Sequence, residues 1–333
     1  MHIKKILITG ASGFIGSATV DKALALGYET WAGIRKSSSR DYLQDERIHF
    51  IDLDYGNKAN LKQQLSEIGR FDVIVHIAGL TKALQPSDFD KVNYEYTRHL
   101  VEALMEIDAV PDSFIFMSTL GVMGVGDEIH YTPLAPNHTP NPNTAYGKSK
   151  LKAENYLKNL PDFPYVILRP TGVYGARDKD YLILMRVIQS GFEIGIGFRK
   201  QLLTFIHVDD LVRVVFLCID KKIDRREYYV ADGGAYPDSE FNAIVKQTLQ
   251  RKHTIRLKVP LSIVKIAALM NEKIAGIFGK STTFNTDKYR IMEQRNWACD
   301  TSPLQADLDF EPDFRLKAGV EKTIKWYKEH GWL

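Results

Sequence analysis

Lys5-Ile6-Leu7-Ile8-Thr9-Gly10-Ala11-Ser12-Gly13-Phe14-Ile15-Gly16 joins a short apolar run to a helix-like segment through three glycines. The run Ile3–Thr9 predicts a strand. The stretch Phe14–Leu26 predicts a helix, with Ile15, Val20, Ala23 and Leu24 at helical spacing. Each glycine between them has its own task. Gly10 permits a tight turn, Gly13 lets backbone approach a pyrophosphate, and Gly16 lets the helix pack closely. The helix N-terminus adds unpaired N–H groups and a partial positive charge that suit phosphates. Glycines also serve ordinary turns. The strand before and the helix after are the context that points to a dinucleotide site.

Working outward, strands are predicted at Thr30–Ile34, Ile48–Leu53, Asp72–Ala78, Ser113–Ser118 and Tyr165–Leu168. Helices are predicted at Asn60–Ile68, Asp88–Ile107 and Ala145–Leu160, the last capped by Asn143-Thr144. Apolar strands alternating with helices imply an α/β doubly wound parallel sheet, the Rossmann fold, covered on both faces. Pro133, Pro136, Pro140 and Pro142 mark the stretch from Gly121 to Asn143 as loop. A core-like unit recurs at Phe205–Cys218, and beyond about Ala235 the pattern is mainly helical. The expected division is a dinucleotide-binding core over 1–175, a substrate-lobe insertion over 176–200, a return to the core over 201–235, and mainly substrate lobe over 236–333.

Composition narrows the function. The chain has 333 residues, 44% of them hydrophobic and 26% charged, the balance of a folded globular protein. A net charge of +3 is too small and scattered to argue for a nucleic-acid partner. Cys218 and Cys299 alone support no disulfide framework or Cys-rich zinc site, and no metal is expected. The N-terminal apolar run is too short for a secretory leader. The longest apolar candidate, Leu261–Gly279, is interrupted by Lys265, Glu272 and Lys273, so it is expected to be an amphipathic helix packed on the body of the protein. A cytoplasmic protein without membrane partners follows.

Two patterns carry chemistry. After the second strand, where NAD-binding folds place a ribose-binding carboxylate, the chain reads Gly33-Ile34-Arg35-Lys36-Ser37-Ser38. Arg35 offers a fork of donors suited to a 2′-phosphate, with Lys36 beside it, which favours NADP while leaving NAD open. Tyr146-Gly147-Lys148-Ser149-Lys150 places Tyr146 and Lys150 one helical turn apart. A neighbouring ammonium is expected to lower a phenol's pKa and fit it for proton transfer. Gly147-Lys148-Ser149 mimics the tail of a phosphate-binding loop, but the required earlier glycine is Pro142.

These segments, with Ser118–Gly124, Arg169–Gly175, Phe205–Leu211 and a closing Leu308–Trp326 stretch, resemble the extended short-chain dehydrogenase/reductases, the NAD-dependent epimerase/dehydratase family. The resemblance implies Tyr146 as general acid/base, Lys150 as its partner on the nicotinamide ribose, and Thr119 bonding the reacting oxygen. It implies cofactor contacts at Gly10, Gly13, Phe14, Ile15, Gly16, Arg35, Asp52, Leu53, Ala78, Gly79 and Asn93. His76 is expected to pack at a strand end, and His207 with Asp209 to hold a motif together.

Three departures bear on substrate. Nucleotide-sugar enzymes of the family usually carry Asn where this chain has Gly172, and Arg-Asp where it has Leu203-Thr204. Met123 stands where a tyrosine is usual. A lost Arg–phosphate fork removes a strong contact, for which Arg199, Lys200 or Arg256 would have to compensate. The expected activity is therefore an NAD(P)-dependent reductase or dehydrogenase acting on a small carbonyl or alcohol, near the dihydroflavonol-reductase and 3β-hydroxysteroid-dehydrogenase branch. The alternatives are a nucleotide-sugar epimerase or dehydratase and, further off, a non-catalytic NADP sensor. A homodimer is conceivable through Val101, Leu104, Leu151 and Leu157, which otherwise face the sheet.

Overall fold

In a computed structural model, which describes residues 3–278, 282 and 284–333, the apolar runs form one parallel sheet. Its strands are β1 (Lys5–Thr9), β2 (Glu29–Ile34), β3 (His49–Asp52), β4 (Val73–His76), β5 (Ser113–Met117), β6 (Val166–Pro170) and β7 (Arg226–Val230). Their spatial order is β7-β6-β5-β4-β1-β2-β3, every pairing parallel. The chain runs outward from β1 to β3 and then crosses back to β4. That reversal opens a crevice at the C-terminal ends of β1 and β4, where Thr9 pairs with His76.

Alternation along β1 divides the core. Ile6 and Ile8 pack with Val20, Leu24, Leu211 and Val215 on one face. Leu7 points the other way, toward Leu61, Leu65, Leu100, Phe116 and Leu157. The helices Phe14–Ala25 and Val208–Asp220 cover the first face. Lys58–Ile68, Tyr96–Glu106 and Ala145–Asn159 cover the second. A third cluster joins Tyr174, Met185 and Phe205 to Phe241, Val320 and Tyr327 of the C-terminal part.

Several expectations change. The single helix over Asp88–Ile107 is three pieces: Pro86–Phe89, a π-helical stretch Asp90–Glu95, and Tyr96–Glu106. Pro86 and a Gln85/Asp88 capping box start it early, and the wide turn contains Asn93, whose side chain bonds Leu80. Val101, Leu104 and Leu157 are buried within the chain against the sheet, and the half-buried Leu151 packs beside Leu120 and Val122. Phe192–Ile196 and Ile255–Val259 form a parallel two-stranded ribbon that the helical reading of the C-terminal part omits. Leu261–Ile277 is a helix, yet only Val264 and Ala268 along it are buried. It packs on the body along one narrow side, where Asn271 donates to the Phe284 carbonyl and Glu272 accepts from the Thr286 N–H, and Gly279 lies outside the described residues.

The lobe is tied to the core by Asp210, 1% exposed at the start of its helix, whose carboxylate accepts from the Asp313 and Phe314 N–H groups at 3.0 and 2.8 Å. Asp210→Ala orphans both donors and is expected to cost about 1–3 kcal/mol of unfolding free energy. Urea denaturation measures it; an unchanged midpoint would remove Asp210 as the tie.

Candidate active site

Gly10 has φ +66°, and a Cβ there would lie 2.8 Å from the Ala78 nitrogen, so β1 can turn against β4 only with glycine. A Cβ on Gly16 would overlap the Gly10 carbonyl, whereas one on Gly13 would meet only that carbonyl, at 3.2 Å. Two glycines therefore seat the helix, and the third leaves the loop's outer side open. The helix begins at Phe14 and Ile15 with no side-chain cap and no acid in its first turn. Its free N–H groups and dipole fit the pyrophosphate of a dinucleotide.

Beyond β2 no carboxylate waits. Arg35 and Lys36 are exposed, and the Arg35 N–H donates to Ser38 Oγ at 3.2 Å. Arg40 stacks on Phe50 at 4.1 Å, adding a third cation to this end. Leu53 is buried beside Gly33, and the Asp52 carbonyl accepts from Gln64 Nε2 at 2.6 Å.

A continuous hydrogen-bond path links this crevice to the tyrosine helix. The Thr9 hydroxyl accepts from the Ile77 and Ala78 N–H groups and donates to His76 Nδ1 at 2.8 Å. His76 Nε2–H donates to Thr97 Oγ1 at 2.9 Å, and that hydroxyl donates to the Asn93 carbonyl. Burial, helped by Lys150, pushes His76 down to about 3, so it stays neutral. His76 is thus a buried hydrogen-bonding link rather than simple packing. The Asn93 amide holds both the N–H and the carbonyl of Leu80 and donates to Ser149 Oγ at 3.0 Å. Ser149 in turn donates to the Tyr146 carbonyl at 2.7 Å.

Thr144 caps the helix Ala145–Asn159 by accepting from the Gly147 N–H at 3.0 Å. A Cβ on Gly147 would lie 2.7 Å from the Gly121 carbonyl. Glycine there lets the helix sit directly against the turn that carries Thr119. Thr119 is half-buried and accepts from the Gly121 N–H at 3.1 Å. Its neighbour Ser118 is buried and donates to Glu154 Oε1 at 2.5 Å, which commits it to the interior.

Lys150 is 3% exposed, and its ammonium donates to the Met117 carbonyl at 2.9 Å. A Cβ on Gly79 would come within 3.2 Å of Nζ, so glycine leaves room beside the ammonium. Burial pulls Lys150 down to about 8, with Glu154 opposing. Tyr146 departs from expectation: burial pushes its phenol up to about 12, and Lys150 is not among the causes. The two side chains share a helix face, but the ammonium is engaged with Met117. The phenol is therefore protonated at neutral pH.

Motif reading missed Glu154 and Arg169. Glu154 is fully buried and takes a two-pronged contact from Arg169, Nε to Oε1 at 3.0 Å and Nη2 to Oε2 at 2.6 Å. Arg169 also reaches Glu227 at 2.6 Å. Glu154 lies one turn beyond Lys150, a spacing that could have flagged it. His207 caps the helix Val208–Asp220 by accepting from the Asp209 N–H at 3.3 Å, and burial pushes it down to about 4.

A cleft of about 490 Å³ is lined by Val125, Phe198, Arg199, Leu261, Gln294 and Arg295 among others. The helix Thr286–Glu293 bridges it to Tyr146: Asp287 Oδ2 accepts from the Tyr146 N–H at 3.1 Å, and Gln294 Nε2 donates to Asn143 Oδ1 at 3.0 Å. A Cβ on Gly172 would overlap the Tyr181 hydroxyl, so that space is already filled. Met123 is buried in a packing cluster, and Thr204 donates to the Trp297 carbonyl. Arg256 contacts Asp238 and Lys200 sits over Tyr131, which leaves Arg199 as the exposed cation of the cleft.

The profile of the NAD dependent epimerase/dehydratase family matches residues 6–231. Ceramide reductase of Caulobacter vibrioides is 22% identical, covering 98% of this chain and 96% of its own length. Human dTDP-D-glucose 4,6-dehydratase is 25% identical, covering 99% and 92%. The structure of UDP-glucose 4-epimerase from Thermotoga maritima, with UDP-glucose, superposes with a TM-score of 0.77 at 21% identity over 98% of this chain and 99% of that one.

Removing one partner of a buried ion pair strands the other. Glu154→Ala is expected to cost about 3–5 kcal/mol in chemical denaturation. A loss below about 1 kcal/mol would mean that Glu227 and water suffice for Arg169.

Proposed function

The chain belongs to the NAD dependent epimerase/dehydratase family, and from that premise we propose that it is an NADP-preferring oxidoreductase acting on a carbonyl or alcohol at Thr119 and Tyr146, which do not themselves line the 490 Å³ cleft but connect to it through the helix Thr286–Glu293. The bound nicotinamide would supply or accept the hydride. The open glycine loop and uncapped helix fit the dinucleotide, and Arg35 with Lys36 fits a 2′-phosphate. Asn93 and Lys150 hold the loop and the strand end against which the cofactor would rest.

Thr119 Oγ1 donates to the reacting oxygen, and Tyr146 Oη gives it a proton during reduction or removes one during oxidation. A phenol held near 12 suits the donor role at neutral pH. Lys150, one turn along the same helix, would have to turn its ammonium from the Met117 carbonyl to stabilise the phenolate that remains after transfer.

The observation that carries the reductase reading is Tyr181 filling the space beside Gly172. The amide that nucleotide-sugar enzymes usually place there would require the Tyr181 ring to move aside. A second reading, epimerase or dehydratase chemistry at the same Tyr146 and Lys150, is favoured by Arg199, an exposed cation at the cleft.

Tyr146→Phe should lower kcat by about 10²–10⁴-fold while cofactor binding, followed by nicotinamide fluorescence, is kept. Retained turnover would remove Tyr146 as proton donor. Arg35→Ala should weaken NADP far more than NAD in calorimetry, and equal losses would contradict the 2′-phosphate assignment. For reduction, kcat/KM reports the free protein's groups. Lys150 is charged below its value of about 8 and neutral above it. The rate should therefore be level at lower pH and fall as pH rises through 8. A profile flat well into the alkaline range would contradict a role for the ammonium.

A further inference from the structure

We propose that the strand Ile255–Val259 and the helix Leu261–Ile277 form a docking surface for an anionic lipid membrane, lying in its interface. The surface is apolar where a water-facing helix should be polar. Ile263, Ile266, Met270, Ile274 and Ile277 are 51–81% exposed. Their helical positions gather them, with Ala267, into one stripe spanning roughly 100°. The inward side carries Val264 and Ala268, which are buried. Phe278, just past the helix, is 72% exposed. Pro260 alone separates the helix from the preceding strand, whose ribbon repeats the pattern. Ile255 pairs with Phe192 and Leu257 with Ile194, and all four are exposed.

Charge decides what covers this face. Between residues 251 and 278 stand the cations Arg251, Lys252, Arg256, Lys258, Lys265 and Lys273, and a single acid, Glu272. Glu272 is turned inward, accepting from the Thr286 N–H at 3.1 Å and from its hydroxyl at 2.7 Å. All six cations are exposed, and Arg256 alone has an ion-pair partner among the described residues, Asp238 at 3.7 Å. A two-fold contact with a second copy would set this patch against itself and oppose like charges. An anionic lipid surface answers both features, because apolar side chains enter the acyl boundary while flanking lysines reach the headgroups. No described helix is long and apolar enough to cross a membrane, which fits attachment in the plane of the interface. The cleft lies beside it, sharing Leu261 and the linking Pro260, so a substrate leaving the lipid would enter the cleft directly.

The test is sedimentation of the full chain with phosphatidylcholine vesicles, alone or containing phosphatidylglycerol. Binding should require the anionic lipid and weaken with added salt. The Ile266→Glu/Met270→Glu/Ile274→Glu variant should bind at least about tenfold more weakly. The Lys265→Gln/Lys273→Gln variant should lose about thirtyfold, at about 1 kcal/mol per cation. NADP affinity should be unchanged in both, which keeps failure of the fold apart from failure of the surface. No vesicle binding, equal binding to neutral vesicles, or undiminished binding by the triple variant would overturn the proposal. So would a dimer in sedimentation velocity that the triple variant dissolves, since a second copy would then own the face.

Discussion

An ammonium withdrawn from water costs several kcal/mol unless charges and dipoles inside the protein answer it, and the Lys150 ammonium is withdrawn almost completely. Much of the site can be traced to how that cost is offset. The Met117 carbonyl at the end of β5 accepts one proton, and the Glu154 carboxylate one turn along supplies the opposing charge. Glu154 is itself buried, so it requires Arg169 from β6, and Arg169 requires Glu227 from β7. One charged group on the helix Ala145–Asn159 thus draws three neighbouring strands into register with it. On its other side Lys150 needs Gly79 to leave it space, and Asn93 secures that loop through Leu80.

This dependence explains what the sequence could and could not reveal. The sheet was legible because β1, β4 and β5 are short apolar runs between turn signals, and such strands are buried on both faces whatever surrounds them. The glycine loop and the Tyr146–Lys150 spacing were legible for a similar reason, since each needs only local geometry. Glu154 and Arg169 are fifteen residues apart in sequence and meet only when β6 lies beside β5, so no local pattern joined them. The burial that raises the Tyr146 phenol was not legible on the same ground. Helical spacing put an ammonium nearby, but the Met117 carbonyl, a tertiary partner, claims it. The exposure of the outer helix's apolar stripe was not legible because such a stripe is identical in sequence whether it faces a core or solvent.

The cleft shows the same economy of tertiary contacts. Gly172, Met123 and Thr204 are departures from the nucleotide-sugar pattern when taken singly. In the fold they share a consequence, because the space beside Gly172 goes to Tyr181, Met123 enters a packing cluster and Thr204 bonds the Trp297 carbonyl. Positions that would face a sugar nucleotide have been absorbed into the protein's own packing. Phe198, Ile196, Pro260 and Leu261 give the remaining wall an apolar character. Glu128, Gln201, Glu293, Gln294 and Arg295 line the polar side, and Arg199 is the exposed cation there; the choice between a carbonyl substrate and a sugar nucleotide turns on whether it can serve in place of the missing arginine.

Calorimetric titration of UDP and of dTDP into the NADP-saturated protein addresses that choice most directly. Neither nucleotide should bind, because the amide site is filled and the diphosphate contact is missing. Clear binding of either one would contradict the reductase reading and assign the cleft to a nucleotide sugar.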